Sequence, residues 1–173
     1  YKFILTKDLV NEKLSLLNTN LTNLKYELIN TDKLDNGNVS IYNRTTNKYN
    51  SFILVYETSE LSKKNITNLE DYMERFYNDN YPKKKVYTGN YFDPYSYIIH
   101  YSKLIIVDKM NEDTQNLVKD SIMNLPEFTY LTAVLDKKES KLYIAKIRTD
   151  IGSGDFKMQS KEIKELFDLN KKK

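Results

Sequence analysis

Cysteine and tryptophan are absent from this chain, histidine occurs once, and glycine and proline are scarce, at four and three residues. The missing cysteine excludes disulfides, thiolate nucleophiles, Fe–S clusters and cysteine-ligated zinc. With a single histidine, a metal site would have to be built mostly from carboxylates. Asp93 and Asp108, the acids near His100 in sequence, lie at no recognised ligand spacing. Long apolar runs are also missing, because no stretch approaches the ~18 residues that cross a bilayer. Strong charge of one sign is missing too. The net charge is +3 and the lysines are interleaved with Asp and Glu, whereas nucleic-acid binders concentrate a basic stripe on one face. No nucleic-acid partner is therefore expected.

Catalytic motifs are equally thin. No G-x-S-x-G elbow frames a serine. Gly152-Ser153-Gly154-Asp155 lacks the spacing of a phosphate-binding loop or of a dinucleotide fingerprint, so a plain turn is expected there. Glu57 with Glu60, and Glu70 with Glu74, are carboxylate pairs. Acid–base work needs one such group desolvated, and the flanking residues indicate solvated faces instead. A non-enzymatic protein without cofactor or metal is the expectation.

What is present is a globular composition: 173 residues, 40% hydrophobic and 29% charged. The strongest pattern is apolar periodicity near the start. Val10, Leu14, Leu17, Leu21, Leu24 and Leu28 alternate in steps of four and three, the seam of a heptad repeat. One helix over residues 6–30 follows from it. Such a seam serves either a coiled coil with a partner or packing against the chain's own sheet. Residues 1–5 are apolar and short, suiting either the end of a membrane helix or a first helical turn.

After a linker at 31–38 the period changes. Strands are expected at 39–43, 51–58, 85–90, 103–109, 129–136 and 141–149. Helices are expected at 62–78, 112–124 and 161–169. Two β–α–β units in this order predict an α+β fold: an N-terminal coiled-coil-like helix, then a ferredoxin-like sandwich with a short C-terminal helix. The division is a stalk at 1–32 and a domain at 33–173. Tyrosine is abundant, at 15, and Tyr91, Tyr95 and Tyr97 sit in its densest stretch. That stretch fits sheet packing, a protein interface or a stacking platform.

A short apolar opening, the heptad leucines and a small β–α–β domain together resemble the platform proteins of type IV pilus and type II secretion machines. These are the PilO and PilN types and their GspL and GspM relatives. Residues 103–149 resemble the strand–helix–strand–strand half of that family's domain. The resemblance implies a scaffold that forms homodimers, or heterodimers with a paralogous platform protein. It also implies a membrane tether in the full-length chain and a place on the extracytoplasmic face of a bacterial cell membrane. The partner-binding residues would then be Val10, Leu14, Leu17, Leu21, Leu24 and Leu28, with Tyr91, Tyr95 and Tyr97 as a second surface. The alternative is a cell-surface or lipoprotein ligand-binding domain using the tyrosines.

Overall fold

Three runs, at 52–56, 104–107 and 131–135, are buried at every position. A strand with one wet face alternates apolar and polar residues. A strand covered on both faces reads as a continuous apolar run. In the computed structural model these runs lie within the middle strands of one sheet. The structure describes residues 1–46, 49–80, 98–120, 128–145 and 153–170. Their order is β1 (Lys2–Ile4), α1 (Lys7–Ser15), α2 (Leu17–Asn23), β2 (Glu27–Leu34), β3 (Gly37–Thr45), β4 (Tyr49–Thr58), α3 (Lys63–Asn80), β5 (Ile98–Val107), α4 (Glu112–Asp120), β6 (Phe128–Asp136), β7 (Lys141–Ile144) and α5 (Ser153–Glu165).

The sheet runs β1-β7-β6-β5-β4-β3-β2. Strands β4, β5 and β6 are parallel, and the outer pairings are antiparallel. Alternate residues of the central strands feed two cores. Phe52, Leu54, Tyr56, Ile105 and Val107 meet Ile66, Leu69, Met73 and Tyr77 of α3 and Val118 of α4. Ile53, Val55, Leu104 and Ile106 point the other way, to Val10, Leu17 and Leu21 of α1 and α2 and to Ile163 of α5. The result is a three-layer α/β/α arrangement around a mixed sheet.

This overturns the expected coiled-coil stalk and ferredoxin-like sandwich. A ferredoxin-like sheet carries its helices on one face, whereas both faces are covered here. The long N-terminal helix does not form either. It breaks at Leu16 and ends before Lys25, whose φ is 71°. The second piece, LNTNLTN, is rich in Asn and Thr, which favour caps and turns over helix interiors. The amides of Lys25 and Tyr26 close it onto the carbonyls of Thr22 and Leu21, a Schellman pattern. The chain then becomes strand β2, across the expected boundary at 32/33. Residues 2–4 form a strand paired to β7 rather than a helical turn. The expected loop before the last helix is shorter than anticipated, because α5 starts at Ser153. The expected strand at 85–90 lies outside the described residues.

The heptad leucines show where the sequence pattern went. Val10, Leu17 and Leu21 are buried in the second core, with Leu14 and Leu24 packed against it. Leu28 is on β2 and 45% exposed. Each buried side chain of this kind contributes about 1.5–3 kcal/mol, and it does so inside the chain. Thr6 caps α1, accepting from the Leu9 amide at 3.1 Å. Lys13 ties the same helix to Asp168 beyond α5 at 2.7 Å.

Candidate functional site

Strand β2 is the long outer strand of the sheet. It pairs with β3 through a two-residue turn at Asp35 and Asn36, which Asp35 enters at φ 53°. A turn of this kind needs left-handed backbone, which Asp and Asn tolerate. Gly37 follows, and a Cβ there would lie 2.5 Å from the Tyr56 ring. Tyr56 crosses the hairpin over this glycine, and its hydroxyl donates to the Leu34 carbonyl at 3.0 Å. The other outer strand, β1, has three residues. β2 has eight, and among the described residues no backbone group pairs with its outer edge.

Helix α3 stands beside that edge. Ser62 and Asn65 cap it reciprocally. Ile66, Leu69, Met73 and Tyr77 recur at helical spacing and face the sheet. The flank toward β2 is polar. Tyr72 donates to Asp32 at 3.1 Å and accepts from Asn30 at 3.0 Å. Asn65 and Asn68 each donate to Asp35 at 3.0 Å. Leu34 and the α3 residues Asn68, Asp71, Glu74, Arg75 and Asn78 line an open groove of about 580 Å³.

The electrostatics of this seam follow from those bonds. Hydrogen bonds from Asn68 and then Asn65 hold the Asp35 carboxyl below its usual range, so it is ionised at neutral pH. Burial, and then the bond to Asp32, push the Tyr72 phenol up to about 12. Tyr72 therefore stays a neutral donor to Asp32 across the physiological range. A bulge at Ile29 interrupts the β2–β3 register, and Glu27, Asp32 and Lys33 are exposed along the strand. Bulges and charges of this sort restrain indiscriminate edge pairing.

A second concavity lies at the carboxyl ends of β4 and β5. Ser59, Glu60, Leu61, Asp108, Lys109, Met110, Asn111 and Thr114 line a cleft of about 500 Å³. It has no glycine in either loop, and its helices are already capped: Ser62 closes α3 and Asn111 bonds the Thr114 amide at 2.9 Å. Among the described residues no group of three or more His, Asp or Glu could hold a metal ion.

The buried polar groups serve the layers. Lys103 sits in the middle of β5 and pairs with Glu70 of α3. Burial pulls this ammonium below its ordinary range, against the opposing pull of Glu70. Arg44 meets Glu162 of α5 through its two terminal guanidinium nitrogens, Nη1 and Nη2, at 2.7 and 3.0 Å, and lies 4.4 Å from the Tyr26 ring centroid. Burial and the Glu162 carboxylate push the Tyr26 phenol up. Gln159 donates to the Tyr101 carbonyl and to Ser102. His100 is buried, with its ring centroid 4.8 Å from that of Tyr49.

The residues expected to bind a partner are not gathered into one surface. Val10, Leu17 and Leu21 are core, Leu14 and Leu24 flank it, and Leu28 is exposed on β2. Tyr91, Tyr95 and Tyr97 lie outside the described residues. Glu57 and Glu60 are exposed as expected. Glu70 is not on a solvated face but turns inward to Lys103. Sequence reasoning missed that pair and the Arg44–Glu162 pair. A lysine inside the run KLIIV hinted at the first, since a charge there must find a partner or be expelled. The outer edge of β2 is hidden in the sequence, because the leucine spacing carries the expected helix through residue 30.

Fold and site together define a three-layer α/β/α domain with a mixed sheet whose long outer strand has no backbone partner among the described residues. No protein-family model matches this chain, and no curated protein or solved structure matches it. Among the described residues no helix is long and apolar enough to cross a membrane.

Proposed function

We propose that this chain is a non-catalytic interaction module that takes up an extended segment of a partner protein along the outer edge of β2. The observation that carries the proposal is an eight-residue outer strand without a backbone partner among the described residues, with the groove under the flank of α3 opening at its Leu34 end. A segment added to such an edge satisfies the free N–H and C=O groups, while side chains at alternate positions enter the groove. Each backbone hydrogen bond adds roughly 0.5–1.5 kcal/mol net, so a strand of similar length accumulates useful affinity without a deep pocket. The scaffold role expected from the heptad leucines is thereby moved to a different surface. The pilus-platform setting needs a coiled-coil stalk, and its seam residues other than the exposed Leu28 pack inside the chain.

The test is selection of binders from a random peptide library on the full chain, followed by amide hydrogen exchange with and without the selected peptides. Slower exchange across Glu27–Leu34 is the expected result. Slowing confined to 59–61 and 108–114 would transfer the role to the cleft, and a library that yields no binder would sink the docking reading.

A further inference from the structure

Resting on that docking reading, we infer that the segment is basic, with Lys or Arg at alternate positions facing α3. The groove itself carries Asp71 and Glu74 against Arg75. Outside its lining stand Asp32 of β2 and Asp35 of the turn that follows, both anchored as acceptors by side chains of α3. Lys33 alternates to the opposite face of β2 from Asp32. The side chains that an added strand would turn toward α3 therefore meet Asp71 and Glu74 beside Arg75, with Asp32 and Asp35 near them and Lys64 acting on Asp35. The Arg75 Nε donates to the Asp71 carbonyl within its own helix, at 3.4 Å.

The same charges argue against a second copy as occupant. Two copies joined edge to edge would each bring Asp32, Asp35, Asp71 and Glu74 to one seam, against only Arg75 and Lys64. Like charges facing one another across paired strands are destabilising, and complementary charge selects partners as much as it strengthens them. An acidic or neutral segment gains only the backbone ladder. A basic one gains the ladder and the field of the groove. Alternation matters because only every second residue of a strand points to one face.

Two short synthetic peptides of alternating pattern test this: one with Lys at every second position, and a twin with Glu there instead. Each is titrated onto the full chain by fluorescence anisotropy at low and high salt, with amide exchange read in parallel. The Lys peptide is expected to bind, to slow exchange over Glu27–Leu34, and to weaken as salt rises. Asp71→Lys, at an exposed position, should weaken it roughly fivefold, combining one lost attraction with one new repulsion. The salt series on the unaltered chain keeps the test independent of that variant's folding. Equal binding of both twins at β2 would overturn the charge assignment and leave the docking reading standing. Failure of both twins to slow β2 would overturn both. Self-association through β2, seen as concentration-dependent slowing of the same amides without peptide, would make a second copy the occupant and overturn the basic segment.

Discussion

Gly37 is held to its identity by a neighbour rather than by its own backbone angle. A methyl group there would lie 2.5 Å from one Tyr56 ring carbon and 2.6 Å from the Glu57 carbonyl oxygen. Tyr56 is fully buried, so its ring cannot swing aside. Gly37→Ala should lower stability by about 1–3 kcal/mol, the usual cost of overpacking, read as a fall in the denaturation midpoint. Lys103 and Glu70 carry a different lesson. Glu70→Gln removes the carboxylate that faces a buried ammonium and should cost roughly 3–5 kcal/mol, whereas Lys103→Met with Glu70→Leu should be neutral or stabilising. If the double replacement proves as harmful as the single one, the pair is not the compensated charge described. Tyr72 gives a pH signature. Its pKa is raised from 10.0 to about 12 in the folded chain. The folded state keeps the proton while the unfolded state releases it, so this contribution is present below pH 10 and is lost as pH rises through about 12. The stability gap between the native chain and Tyr72→Phe should therefore close across that window, and a gap that stays constant would rule out the Asp32 bond as its source. Such residue-level features were poorly legible beforehand. A glycine's ring neighbour and an inward-turned Glu70 depend on contacts far apart in sequence.

At the scale of elements, the leucine spacing was real and its meaning was open. A seam of period 3.5 serves a partner helix or the chain's own sheet equally well, and in this fold the sheet takes it. Leu21 is fully buried, while Leu28 is 45% exposed. Leu21→Ala should cost about 2–5 kcal/mol through the cavity it leaves. Leu28→Ala should change stability by less than about 0.5 kcal/mol. Neither should alter sedimentation, and a change in oligomeric state on losing Leu21 would restore the coil. The central strands and α3 were legible, since SFILVY and LIIV are strongly apolar and β-branched and α3 keeps a clean helical face. Strand β2 was not. Leu28 sits four residues after Leu24 and continues a helical period by coincidence. What ends the helix is the left-handed turn at Lys25, a conformation for which glycine, not lysine, is the usual signal.

For the whole molecule, continuous apolar runs in three strands signalled a sheet covered on both sides. The order of β–α–β units alone predicts a one-sided sandwich, and those runs contradict it. Once both faces are covered, the helices and their leucines are spent on the two cores, and the exposed work of the fold falls to its rim. One rim strand is three residues long and the other eight. The longer one stands beside a polar helix flank that fixes Asp32 on the strand and Asp35 in the turn after it. Docking of an extended segment at this rim is the role proposed for the chain. Its most direct measurement is the set of short cross-strand Hα contacts between a labelled full chain and the bound Lys-patterned peptide, seen as nuclear Overhauser effects. Contacts stepping along alternate residues of Glu27–Leu34 are the predicted result. A peptide that touches only α3, or only the cleft between Ser59 and Thr114, would contradict the account.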